Sequence, residues 1–282
     1  MKLAKGIVFF LLMIMLGSCF NPPEFPIEPQ ITFKDITFKK GGGLSQDSLL
    51  LSLTFKDGDG DLGFDGSNPY SSSYPYHPID YFLEKDGELT KVATEKVYDN
   101  LPPLLRIEAG QSGKLVSVRT RNKPEYSDLP AYVLPYSCSA YNYDTVYISA
   151  VNKSTFDKSY NIIDSLVSSN PANPKIYILL DTFYYEYNPN HYNITVQFET
   201  KNSDNSYSVF DWREEFCSTY DGRFPVLTEN KKVPLDGTLR YSMTSTGFVS
   251  LFGGKTLRLK VQIKDRALHP SKPITTPEFK IN

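Results

Sequence analysis

The sequence predicts a mostly β chain: an immunoglobulin-like or fibronectin-like antiparallel β-sandwich with a large insertion between its early and later strands. Three observations lead there. The 282 residues include 20 Tyr, 18 Phe and 20 Pro, so strand formers abound and helix breakers punctuate them. Apolar and polar residues alternate at period two. In TLRLKVQI, Leu257, Leu259, Val261 and Ile263 fall on one side and Arg258, Lys260 and Gln262 on the other, as in a half-buried antiparallel strand. Finally, strand segments bounded by turn signals stand at both ends of the chain, with a long Tyr/Pro-rich stretch between them.

Residues 1–18 come first. Lys2 and Lys5 precede the apolar run Ile7 to Leu16, too short for a comfortable membrane span and suited to a signal-peptide core. The run closes in LGSC, ending at Cys19. This resembles the lipobox of bacterial lipoproteins, which implies cleavage before Cys19, a diacylglycerol thioether on its sulfur and acylation of its new amino group. Two or more acyl chains anchor stably where one does not. Residues 19–29, with their prolines, then read as an extended tether. Phe20, rather than an aspartate, follows the cysteine, which argues for the outer membrane and leaves the membrane face open. Loss of residues 1–18 takes Lys2 and Lys5 with it and moves the net charge from −2 to −4. Such a mildly acidic chain offers no basic patch for nucleic acid.

Residues 30–63 and 174–282 are assigned to the sandwich. QITFKDITF (30–38) and SLLLSLTF (48–55) flank the turn signal KKGGGLSQD. Later come KIYILLDTF (175–183), YNITVQFET (192–200), GTLRYSMTS (237–245), TLRLKVQIKD (256–265) and ITTPEFKI (274–281). The last two are joined by the breaker-rich RALHPSKP and read as a hairpin. Residues 64–173 are too long for a structureless loop. They read as an insertion or subdomain, with a hairpin at YFLEKDGELTKV (81–92) over Asp86-Gly87 and a short helix at SYNIIDSLVSS (159–169). Cys138 and Cys217 either pair across a long loop in an oxidising compartment or remain separate buried thiols.

The segments DSLLLSLTFKDGDGDLG, FDWREEF…YDGRFP and LRLKVQIKDRALHPSKPITTPEFKI together resemble a family of uncharacterised Bacteroidota lipoproteins with an Ig-like domain, marked by DGDGDLG. The similarity covers both ends of the mature chain and does not reach residues 64–173. It implies the anchor and the fold, and no activity.

Three aspartates, Asp57, Asp59 and Asp61, crowd the end of the second strand with glycines between them. In an Ig-like sandwich the second and sixth strands finish at one pole, which predicts that Asp265, after LRLKVQI, joins them. Carboxylates converging from two loops suit Ca2+, which takes hard oxygen ligands. The spacing is not an EF-hand: Leu62 stands where the loop glycine belongs and Asn68 where the glutamate belongs. Leu62 is instead placed to plug the core. The competing reading is a metal-free Asp-Gly turn with Arg266 neutralising Asp57 or Asp61.

Other motifs are weaker. His77, His191 and His269 are isolated, and neither an H-E-x-x-H nor a G-x-S-x-G occurs. Trp212, the single tryptophan, sits among Phe210, Asp211, Arg213, Glu214, Glu215 and Phe216. It reads either as a cap on the core or as a platform for a sugar ring; aromatics bury area first, which favours the cap. Tyrosines in the insertion suit contact with a protein or glycan partner. The expectation is a lipid-anchored envelope module that binds or supports, not an enzyme. A glycan-binding accessory of a polysaccharide-uptake system is the first alternative, and a hydrolase the second.

Overall fold

The computed structural model describes residues 24–42, 45–64, 74–95, 104–107, 113–118, 129, 141–150, 162–167, 175–227 and 233–281. Residues 1–18, expected as a signal segment, Cys19 and Cys138 lie outside them. The chain is mostly β. Its strands are β1 (Gln30–Lys39), β2 (Asp47–Asp57), β3 (Ile79–Lys85), β4 (Glu88–Glu95), β5 (Leu104–Ile107), β6 (Lys114–Leu115), β7 (Tyr141–Ala150), β8 (Ile162–Val167), β9 (Lys175–Tyr187), β10 (Ile194–Lys201), β11 (Tyr207–Phe210), β12 (Leu235–Ser245), β13 (Thr256–Ile263), β14 (Ile274–Thr275) and β15 (Phe279–Lys280).

Two sheets share the main core. One runs β1-β2-β12. The other runs β11-β10-β13-β14, with β15 also on β13. Alternation explains how they face each other. Leu49, Leu51, Leu53 and Phe55 of β2 point the same way, and so do Ile194, Val196 and Phe198 of β10 and Leu257, Leu259, Val261 and Ile263 of β13; all belong to one buried cluster. Each such side chain contributes roughly 1.5–3 kcal/mol by leaving water. Leu62 joins the same cluster, plugging it from the loop after β2. ITTPEFKI, expected as one strand, is split into β14 and β15. Pro277 lacks an N–H for the ladder, while Thr276 still exchanges bonds with Leu259 through its backbone N–H and its Oγ1.

A second unit is inserted between β2 and β10. The pairings β3–β4, β4–β5, β5–β7, β7–β9 and β9–β3 form a closed circuit, with β5 and β7 parallel and the rest antiparallel. This is the connectivity of a small barrel. Its interior holds Tyr81, Leu83, Val92, Leu105, Leu115, Leu179 and Phe183. The β3–β4 hairpin turns over Asp86 (φ 54°) and Gly87 (φ 87°), the two positive φ values that a two-residue type I′ turn demands.

Two expectations are corrected here. The sequence places segment 175–183 in the sandwich, with the boundary at residue 174. β9 instead pairs with β3, β7 and β8, so the inserted unit runs on to Tyr187. A strand most readily pairs with its sequence neighbours, and β9 follows β7 and β8 directly. The helix expected over 159–169 is the strand β8, antiparallel to β9. Ile162, Ile163 and Val167 are β-branched and fit the pleat better than a helical turn.

Candidate metal site at the acidic pole

β2 ends at Asp57, and the chain must turn at once. Gly60 adopts φ 73° and Gly63 φ 96°, conformations that glycine reaches without a Cβ clash. At Gly58 a Cβ would collide with the backbone carbonyls of Phe25 and Pro26, so the segment before β1 lies directly on this loop. The N–H of Asp61 donates to Asp57 Oδ2 at 3.0 Å, closing the turn.

β13 delivers the fourth carboxylate. Asp265 is fully buried, as is Asp57. Asp265 shapes its own turn: Oδ1 accepts from the His269 N–H at 2.7 Å and Oδ2 lies 2.8 Å from His269 Nδ1. Two bonds stitch the loops together. Asp61 O accepts from the Arg266 N–H at 3.2 Å, and Asp61 Oδ2 from the Ala267 N–H at 3.1 Å.

The result is the juxtaposition expected from strand direction. Carboxylate oxygens of Asp57, Asp59, Asp61 and Asp265 lie within 4.8 Å of one another. Two unit charges about 5 Å apart repel by roughly 3 kcal/mol at an effective dielectric of about 20, and this cluster contains several such pairs. Burial, then the charges of Asp59, Asp61 and Asp265, push the Asp57 carboxyl up to about 6. Burial first, then Asp265 and Asp59, raise Asp61 as well. The alternative partner does not close on them. Arg266 directs Nη1 to the carbonyls of Leu62 and Gly63, at 3.5 and 3.2 Å, and forms no ion pair with the cluster among the described residues.

Three oxygens are left over. Asp57 Oδ1, Asp59 Oδ1 and Asp61 Oδ1 are buried and accept no hydrogen bond. Asp57 and Asp61 thus each use one oxygen to hold the loop and leave the other unmatched. A buried acceptor without a donor costs about 1–3 kcal/mol, and more when charged. A Ca2+ ion would satisfy all three. It binds oxygens at 2.3–2.6 Å, so ligands on opposite sides of it stand up to about 5 Å apart, in keeping with the spacing here. The donor set is all oxygen, which suits a hard cation and not zinc or copper.

The stretch around Trp212 behaves differently. Asp211 caps the helix Trp212–Phe216, its side chain accepting from the N–H groups of Arg213 and Glu214, and this turns the indole inward. Trp212 packs against Phe198, Phe210, Tyr220, Phe248 and Phe252 at centroid distances of 4.8–6.0 Å. It is buried, as a cap on the core would be, and it also lines the cleft beside the helix. Arg213 pairs with Asp221 at 3.0 Å and lies over the rings of Tyr187 and Tyr192. A cleft of about 460 Å³ opens beside this helix, lined by Gln197, Asp211, Arg213, Lys260 and Gln262 among others. Cys217, at the helix C-terminus, is disulfide-bonded, which overturns the reading of it as a separate thiol; Cys138, the partner weighed for it, lies outside the described residues.

The sequence points to the aspartates and is silent on other polar contacts of the fold. His77 and Asp80 form a buried pair at 2.5 Å, foreshadowed only by their i, i+3 spacing. Tyr76 donates its hydroxyl to the Arg266 carbonyl, and no local pattern announces that. Comparison of the chain with protein-family models, curated proteins and solved structures gives no match.

Proposed function

We propose that this chain is a lipid-anchored β-sandwich module of the bacterial cell envelope, held at the outer membrane through Cys19 and stabilised by Ca2+ at its acidic pole. It serves to bind or support a partner rather than to catalyse. One observation carries the calcium reading: three buried, unpartnered carboxylate oxygens converge with Asp265. The strand order supports the Ig-like reading. The first, second and fifth sandwich strands form one sheet and the third, fourth, sixth and seventh the other, as such sandwiches separate A, B and E from C, F and G. LGSC supports the anchor.

Isothermal titration of CaCl2 into the full-length chain tests the ion. Extracellular modules bind calcium with Kd of about 0.1–1 mM, so the titration extends to several millimolar. At 100 times Kd, binding stabilises the fold by about 2.7 kcal/mol, a rise in Tm of roughly 5–10 °C for a chain this size. A flat titration and an unchanged Tm would overturn the reading. For the anchor, Cys19→Ala should move the protein out of the lipid-labelled membrane fraction; unchanged acyl labelling would exclude lipidation at this residue. The alternative role, a glycan-binding accessory of a polysaccharide-uptake system, draws on the cleft at Gln197, Lys260 and Gln262, which Trp212 also lines.

A further inference from the structure

We infer that a cation at the acidic pole also fixes how the inserted β unit sits on the sandwich, so that calcium works as a latch between the two. The inference rests on the calcium reading above and goes one step past it, from stability of one loop to coupling of two units.

The two units are joined by two stretches of chain. Residues 57–64 leave the sandwich and residues 74–78 lead into β3; residues 188–193 return from β9 to β10. These stretches are tied to each other. The Tyr76 carbonyl accepts from Arg223 Nη2 at 3.0 Å and lies 2.9 Å from His191 Nδ1. Arg223 Nε donates to the His191 carbonyl at 2.5 Å. Asn188 Nδ2 donates to the carbonyls of Pro75 and His77 at 2.7 and 2.9 Å.

Arg266 connects this network to the aspartates. Its N–H donates to Asp61 O, its guanidinium to Leu62 O and Gly63 O, and its carbonyl accepts from the Tyr76 hydroxyl. The ring of Tyr76 also packs against Phe64 at 4.8 Å. The seat for Tyr76 is therefore built from the two loops that the carboxylates push apart. Repulsion between Asp61 and Asp265 strains the stitch from Asp61 to Arg266 and Ala267, and that stitch positions the carbonyl on which Tyr76 rests. A cation shared by the aspartates removes the repulsion, closes the stitch and presents the carbonyl.

Hydrogen exchange on the full-length chain, with CaCl2 or with a chelator, tests the latch. The expected result is slower exchange in two places at once: residues 57–61 with 265–269, and the connecting residues 188–193. At 100 times Kd the slowing is up to about 100-fold for openings that break the site. Tyr76→Phe keeps the ring and removes the hydroxyl. By reciprocity its calcium Kd should rise by the factor by which calcium slows 188–193 in the parent; with calcium at 100 times that new Kd it should keep the slowing at 57–61 and lose it at 188–193. Slowing confined to 57–61 and 265–269 in the parent chain, or a Tyr76→Phe profile identical to the parent at 188–193, would overturn the latch while leaving the ion site standing. Absence of calcium binding in the titration would remove both.

Discussion

Two regions look equally rich in chemistry when read along the chain: the loop holding Asp57, Asp59 and Asp61, and the stretch around Trp212. The folded protein separates them. Around Trp212 the polar groups find partners: Asp211 caps a helix, and Arg213 meets Asp221 and two tyrosine rings, while the aromatics fill a core. One loose end remains there, the indole Nε1 of Trp212. At the acidic pole three carboxylate oxygens stay unmatched and like charges crowd together. Dense chemistry does not mark a site; chemistry that the fold leaves unfinished does.

Substitutions can break this contrast. The largest effect is expected from Trp212→Ala. Truncating a buried tryptophan costs about 3–5 kcal/mol, and chemical denaturation should show the same loss with or without calcium. A loss that appears only as weaker glycan binding, with stability intact, would return Trp212 to the role of a ligand platform. Next comes Asp57→Asn. It should abolish the calcium-dependent gain of about 2.7 kcal/mol, yet in chelator the variant should be at least as stable as the parent, because a buried repulsive charge has gone. A drop in chelator would mean that the charge itself stabilises the loop, against the repulsion argued here, since asparagine keeps an oxygen to brace the Asp61 N–H.

Asp211→Ala should cost about 1 kcal/mol, the usual value of a helix cap, again without regard to calcium. The smallest effect near neutral pH belongs to His191. Burial, foremost, and the nearby Arg223 and His77 hold its imidazole below the usual histidine range. A depressed folded pKa means that its stabilising contribution is complete above about 6.5, the unfolded value, and is lost as the pH falls through the folded value. An NMR titration of the ring should place its midpoint below 6.5. A midpoint above that would show that the Tyr76 carbonyl, which favours the charged ring, outweighs burial.

Much of the sandwich could be read ahead of the structure because its signals are local. The alternation in β2 and β13 shows which side chains turn inward, and the Asp86-Gly87 pair fixes a tight hairpin. Strand direction then carried the reading further, bringing Asp265 to Asp57 across some two hundred residues. What escaped was partner choice. Nothing within KIYILLDTF says that its edges belong to β3, β7 and β8 rather than to the sandwich, since the same pleated surface serves either sheet. Closure of the inserted circuit depends on the β3–β9 pairing, between residues about a hundred apart. The orientation of Trp212 was undetermined for a related reason: the aromatic run alone does not say which way the indole faces until Asp211 caps the helix. Tyr76 and Arg266 meet through a backbone carbonyl, which leaves no trace in residue identity.

The close pass of Phe25 and Pro26 over Gly58 has a mechanical meaning. Gln30 stands opposite Lys56 in the first hairpin, so the segment before β1 and the path into the inserted unit leave from adjacent rungs of one ladder. A pull applied between that segment and the inserted unit would peel those rungs apart one at a time instead of loading them all together. The aspartates stand at the rung where such peeling would start, and an ion clasped there would act as a rivet at the weakest point of the hairpin.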